Sequence, residues 1–119
     1  MKLFFLLALT SFLTDPAPIV EWLQPMTIDF GDLQGRDEVQ TTFEFRNISD
    51  SAIIIEAVRP GCGCTAPDWS EEAIPPDSTA QLVIWYIPKK EGYFKELIKV
   101  YFSGQRKAER IYIEGYVVD

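Results

Sequence analysis

Period-two alternation of apolar and polar residues, segments rich in β-branched and aromatic side chains, and turn signals at short intervals predict an all-β chain. No helical stripe competes with them. Together they predict an immunoglobulin-like antiparallel β-sandwich of about seven strands, because no long helical segment separates the strands as a βαβ fold would require. The clearest alternation is VQTTFEFR, where Val39, Thr41, Phe43 and Phe45 interleave with Gln40, Thr42, Glu44 and Arg46. One buried face requires that pattern.

In chain order, the first predicted strand is MTIDF at 26–30, and the turn-rich GDLQGRDE follows it. The alternating segment at 39–46 is closed by NISDS, and AIIIEAV at 52–58 comes next. IPPDS precedes AQLVIWYI at 80–87, PKKEG separates that strand from YFKELIKVYF at 93–102, and SGQRKAE leads into RIYIEGYVV at 110–118. Gly, Pro, Asn, Asp and Ser in these intervals supply the turn chemistry. Val39, Phe43, Phe45, Ile53, Ile55, Leu82, Ile84, Phe94, Ile98, Val100, Ile111 and Ile113 are the predicted core. Each contributes about 1.5–3 kcal/mol when fully buried, before conformational entropy is counted.

The chain has 119 residues, room for one domain. Lys2 followed by an apolar run from Leu3 to Leu13 has the layout of a secretory leader. At about 1.5 Å per residue the run spans only about half of a ~30 Å hydrocarbon core, so no stable membrane span is expected. The predicted organisation is a signal peptide at 1–14, an N-terminal segment at 15–25 and the sandwich at 26–119, with an extracytoplasmic location, periplasmic or secreted. With 11 Lys and Arg against 18 Asp and Glu, the formal net charge is −7, which argues against nucleic acid as a partner. The absence of histidine removes the Ser-His-Asp and Cys-His nucleophiles and the imidazole metal ligand. Asp29, Asp32, Glu44, Glu56 and Asp68 have no spacing that makes them converge, so no catalytic constellation is recognised and no enzyme is predicted.

The outer faces of the last two strands form a candidate interaction surface. With Phe94, Ile98, Val100 and Phe102 inward, Tyr93, Lys95, Lys99 and Tyr101 face out, and Arg110, Tyr112 and Tyr116 do so on the next strand. A hairpin through SGQRKAE is expected to set Lys99 near Tyr112 and Lys95 near Tyr116, in cross-strand and cation–π contact. Tyrosine and arginine also dominate interface hot spots, so the same face suits a protein partner.

The two cysteines, Cys62 and Cys64, lie in RPGCGCTAPDW, where Pro and Gly predict a turn with side chains near the surface. A bridge between them closes so short a loop that the chain-entropy model gives about 1.6 kcal/mol at most. It would be a poor staple, and a labile disulfide or redox pair is one reading. A soft-metal site is another, and simple packing of two small residues in the turn is a third. Zinc would need more donors, such as Asp68, whereas copper(I) would accept two thiolates, so copper or zinc at Cys62 and Cys64 stays open beside a site with no cofactor. Arg59 would favour a thiolate, and Glu71 and Glu72 would oppose it. Trp69 is expected to cover one end of the sandwich and hold the cysteine loop there. Trp85 reads as packing, and Trp22 as a clamp on the N-terminal segment or an interaction arm.

IDFGDLQGRDEVQTTFEFRN, VRPGCGCTAPDWSEEAIPPDST, GYFKELIKVYFSG and IEGYVV together resemble the exported bacterial domain of unknown function 1573 family, from about Ile28 to Val118. Cys62, Gly63, Cys64, Thr65, Pro67 and Trp69 fall on its Cys-Gly-Cys-Thr, Pro, Trp signature. The resemblance implies an immunoglobulin-like sandwich akin to sperm-protein-like and flagellar-type modules, an extracytoplasmic location and no established activity. The sequence thus predicts a small exported module that binds a protein partner in the cell envelope, with a surface Cys-Gly-Cys loop. A thiol-disulfide or copper-handling protein acting through Cys62 and Cys64, and a purely structural envelope domain, are the alternatives. No feature of the sequence fixes an oligomeric state.

Overall fold

The computed structural model describes residues 17–119. The expected signal peptide at 1–14 lies outside the described residues. Eight strands follow one another: β1 (Val20–Trp22), β2 (Thr27–Gln34), β3 (Val39–Asn47), β4 (Ile55–Pro60), β5 (Thr65–Trp69), β6 (Thr79–Tyr86), β7 (Gly92–Phe102) and β8 (Glu109–Val118). They form two four-stranded sheets, ordered β1-β3-β6-β5 and β2-β8-β7-β4. Among the described residues there is no helix, so none is long and apolar enough to cross a membrane.

Alternation places the core. The inner residues Phe43 and Phe45 of β3, Leu82 and Ile84 of β6, Ile98 and Val100 of β7, and Ile111 and Ile113 of β8 are all fully buried between the sheets. Ile53 and Ile55 join them, while Val39 and Phe94 pack partly buried at the margins. Val20, Val58, Cys64, Ile74, Tyr86, Phe102 and Val117 are also buried.

The eight strands fit the expected sandwich of about seven, but two of them and one pairing were not read from the sequence. β1 arises inside the segment read as preceding the sandwich, because three residues are too few to display alternation; it pairs with the end of β3. Its Trp22 ring lies 5.4 Å from Phe45 and 6.3 Å from Phe102, within the sandwich interior and not on an interaction arm. β5 is the second addition. It runs through Pro67, which an edge strand tolerates because the missing N–H interrupts no inner ladder. Trp85 faces outward, with Gln40 and Ala66 as its cross-strand partners, and does not join the core.

β2 pairs with β8 in parallel, so the second sheet is mixed and not purely antiparallel. β2 also continues through GDLQ, read above as a turn, because the pairing register shifts between Asp29 and Asp32 and absorbs the glycine as a bulge. Gly31 there has φ 69°, and its N–H donates to the Asp29 carboxylate at 2.8 Å. The bulge lies over Gly115, where an added Cβ would sit 2.9 Å from the Phe94 ring and 3.1 Å from the Gly31 carbonyl oxygen. Gly115 is therefore a close-approach position in β8.

Candidate functional site

The loop carrying the cysteines crosses from one sheet to the other. β4 is the edge of the second sheet and β5 the edge of the first, so residues 61–64 turn the corner of the sandwich. Three backbone bonds fix the corner: Gly61 N–H donates to the Leu97 carbonyl at 2.9 Å, Thr65 N–H to Cys62 at 3.2 Å, and Ile87 N–H to Cys64 at 2.9 Å. Cys62 and Cys64 are joined as a disulfide, with Cα atoms 5.2 Å apart. The pair is not the surface loop that the turn residues predict. Cys64 is only 6% exposed and belongs to the core cluster, while Cys62 is half-buried, because strand pairing resumes at Thr65 and draws Cys64 inward.

The charged residue beside the pair was not legible in the sequence. Glu96 sits at an inner position of β7, and one of its carboxylate oxygens and both sulfurs lie within 4.8 Å of one another. Asp68, suggested by proximity in sequence, is exposed on the outer side of β5, and Glu71 and Glu72 are exposed beyond it. Arg59 is also placed away from the sulfurs, with its guanidinium over the Tyr101 ring at 5.9 Å. With both sulfurs spent on the disulfide, the group offers a metal ion a single oxygen donor. Thr65, next in the chain to Cys64, is the cross-strand partner of Tyr86. Tyr86 stacks on Phe94 with ring centroids 4.4 Å apart, and burial first, then the Glu96 charge, pushes its phenol pKa up. The Thr65 hydroxyl and the Trp69 indole N–H are buried without a partner. Trp69 packs half-buried against the core at this end. Gly63 has open space around its Cα, and Pro67 lies half-buried in the middle of β5.

A second feature lies on the outer face of the second sheet. Tyr93, Lys95, Lys99, Tyr101, Arg110, Tyr112 and Tyr116 all take outward positions, with Tyr93 64% and Tyr116 47% exposed. Their neighbours differ from expectation. Lys99 opposes Arg110, not Tyr112; Lys95 opposes Glu114, not Tyr116; and Tyr93 opposes Tyr116. The Lys95 ammonium instead reaches diagonally over the Tyr112 ring at 5.0 Å. Tyr93 donates its hydroxyl hydrogen to Glu114 at 2.8 Å, and this bond to the carboxylate holds its pKa above the usual phenol value. On its other side Lys99 opposes Arg59 of β4. Three cations, Arg59, Lys99 and Arg110, therefore stand side by side across three strands. The one salt bridge among the described residues is elsewhere, between Arg36 and Asp119.

A family model described as "Protein of unknown function (DUF1573)" matches residues 21–117, from within β1 to within β8. The chain belongs to this family. Both the cysteine corner and the cationic face lie inside the DUF1573 match, which bears out the resemblance drawn from the sequence. The DUF1573 fold is similar to a crystal structure of a protein of unknown function from Porphyromonas gingivalis W83, at TM-score 0.70 and 16% identity over 82% of this chain and 46% of that one. The chain thus spans just under half the length of that protein. It is also similar to the ASH/PapD-like domain of human CEP192, at TM-score 0.67 and 12% identity, covering 92% of this chain and 96% of that one. A third likeness is to WR4, an MSP family member of Caenorhabditis elegans, at TM-score 0.56 and 11% identity over 86% and 100% of the two chains. At these identities the likeness is one of fold, and it matches the expected sandwich. No curated protein matches the sequence.

Proposed function

We propose that this domain is an exported binding module of the cell envelope and that the outer face of its second sheet docks an acidic segment of a protein partner. The row of Arg59, Lys99 and Arg110 carries the reading. Like charges directly opposite each other on a sheet destabilise it, and nothing in the fold requires them there. A purely structural domain gains nothing from keeping them. In a chain whose formal net charge is −7, a cationic row of this kind matches a partner of opposite charge. Tyr101 beneath Arg59 adds an aromatic contact, and a shallow groove lined by Glu56, Ala57, Arg59 and Tyr101 runs beside it. Export is supported by the leader layout of the first residues and by a disulfide that an oxidising compartment maintains.

A glutamate-rich peptide is the direct probe. In a heteronuclear NMR titration, amide shifts are expected at Arg59, Lys99, Tyr101 and Arg110, with affinity falling steeply as salt is raised. Shifts confined to the first sheet, or none at millimolar peptide, would count against the assignment.

A further inference from the structure

The inner positions of β7 read Phe94, Glu96, Ile98, Val100 and Phe102. Glu96 alone among them is polar. A carboxylate on the core side of a strand is costly unless something requires it, and no ion pair among the described residues holds this one. Its neighbours are the Cys62 and Cys64 sulfurs. The buried, unpartnered Thr65 hydroxyl lies next in the chain to Cys64 and is a second polar group that packing alone does not explain.

We propose that Cys62–Cys64 is a thiol-disulfide exchange site for protein or small-molecule thiols, in which Glu96 carries the proton between the incoming thiol and Cys64. Accessibility assigns the roles. Cys62 is half-buried and is the sulfur that an external thiol attacks, whereas Cys64 lies in the core and departs. The Cys64 N–H, 3.1 Å from the Cys62 sulfur, is placed to stabilise a thiolate on Cys62. A thiolate departing on the buried Cys64 is disfavoured by burial, and the Glu96 carboxyl is the proton source beside it.

The exchange balances in two steps. An external thiol gives its proton to the Glu96 carboxylate and its sulfur bonds to Cys62 Sγ. The Cys62–Cys64 bond breaks, its electron pair passes to Cys64 Sγ, and Cys64 takes the proton from Glu96. A second external thiol then attacks the external sulfur of the mixed disulfide, forming the external disulfide and releasing Cys62 as a thiolate that takes the second proton. Two electrons and two protons pass from two thiols to the pair, and the reverse sequence oxidises a dithiol.

Among the described residues, Tyr86 on β6 is the titratable group that feels the Glu96 charge, and the two cysteine sulfurs, joined as a disulfide, lie beside it. Its cross-strand partner on β8 is the apolar Ile113, and Arg59, Asp68, Lys95, Lys99 and Glu114 all point outward. The test is the rate at which dithiothreitol reduces the pair between pH 5 and 9 in wild type, Glu96→Gln and Glu96→Asp. General acid–base assistance of the usual size predicts that Glu96→Gln is at least about tenfold slower at pH 6. The gap should close by pH 9, where the external thiol ionises unaided. Equal rates at every pH, or a ratio that does not change with pH, would overturn the proposal. If Glu96→Gln loses the native near-ultraviolet spectrum, Glu96→Asp decides. A rate below wild type at pH 6 that converges on wild type by pH 9 supports the role, and the full wild-type rate at pH 6 refutes it, since the carboxyl has been drawn back by one methylene.

Discussion

Phe45→Ala is expected to lower the unfolding free energy by about 3–5 kcal/mol, the usual cost of emptying a large buried aromatic position. Phe45 is fully buried on the inner face of β3. Its ring centroid lies 5.4 Å from Trp22 of β1 and 5.0 Å from Phe102 of β7, so it joins an edge strand of one sheet to the opposite sheet. The backbone around it is held by pairing to both β1 and β6, which limits how far the cavity can collapse. Urea unfolding followed by tryptophan fluorescence measures the loss, with a fall in midpoint and little change in slope.

Asn47→Asp is expected to cost about 3 kcal/mol or more at pH 7, although the two side chains have nearly the same shape. Asn47 is 0% exposed. Its amide nitrogen donates to the carbonyl oxygens of Ser51 at 2.8 Å and Ile74 at 2.9 Å, while its oxygen accepts from the Ser49 N–H at 3.0 Å and hydroxyl at 2.7 Å. One side chain thus ties the turn after β3 to the segment before β6. Aspartate keeps the accepting side and loses both donors, leaving two carbonyl oxygens facing a buried carboxylate. Those neighbours favour the protonated acid, so the variant's folded-state pKa rises above its unfolded value. The protonated form is then the one the fold tolerates. The deficit against wild type should accordingly shrink as pH is lowered toward the ordinary aspartate value near 4, and grow as pH rises through the folded-state value. Paired urea melts at pH 4 and pH 7 measure this.

The sequence showed which face of each long strand is buried, because alternation reports it directly. Phe43 and Phe45, Ile98 and Val100, and Ile111 and Ile113 lie where that reading put them. Neighbours across the sheet were less legible. The expected pairing of β7 with β8 is two residues out of register, and a shift of two leaves every side chain on its proper face while changing every partner. Lys99 therefore faces outward as expected but meets Arg110. The row with Arg59 needs the register of a third strand, which nothing local encodes. Glu96 was hidden for a similar reason, since its place beside Cys62 and Cys64 depends on two strands far apart in sequence. Where periodicity failed outright the segments were short or bulged: Val20–Trp22, Thr65–Trp69 with Pro67 in its middle, and the stretch through Gly31. Burial of Cys64 follows from strand β5, whose first residue comes directly after it.

In the proposed function, the row of Arg59, Lys99 and Arg110 is kept for a partner at some cost to the fold. Lys99→Glu tests it most directly, with thermal stability and glutamate-rich peptide affinity measured on the same sample. Glutamate between two arginines converts two repulsive cross-strand pairs into attractive ones, so the account predicts a protein more stable by roughly 0.5–1 kcal/mol. The same variant should have lost peptide binding at moderate salt. A less stable variant, or one that binds the peptide as tightly as wild type, would contradict the account.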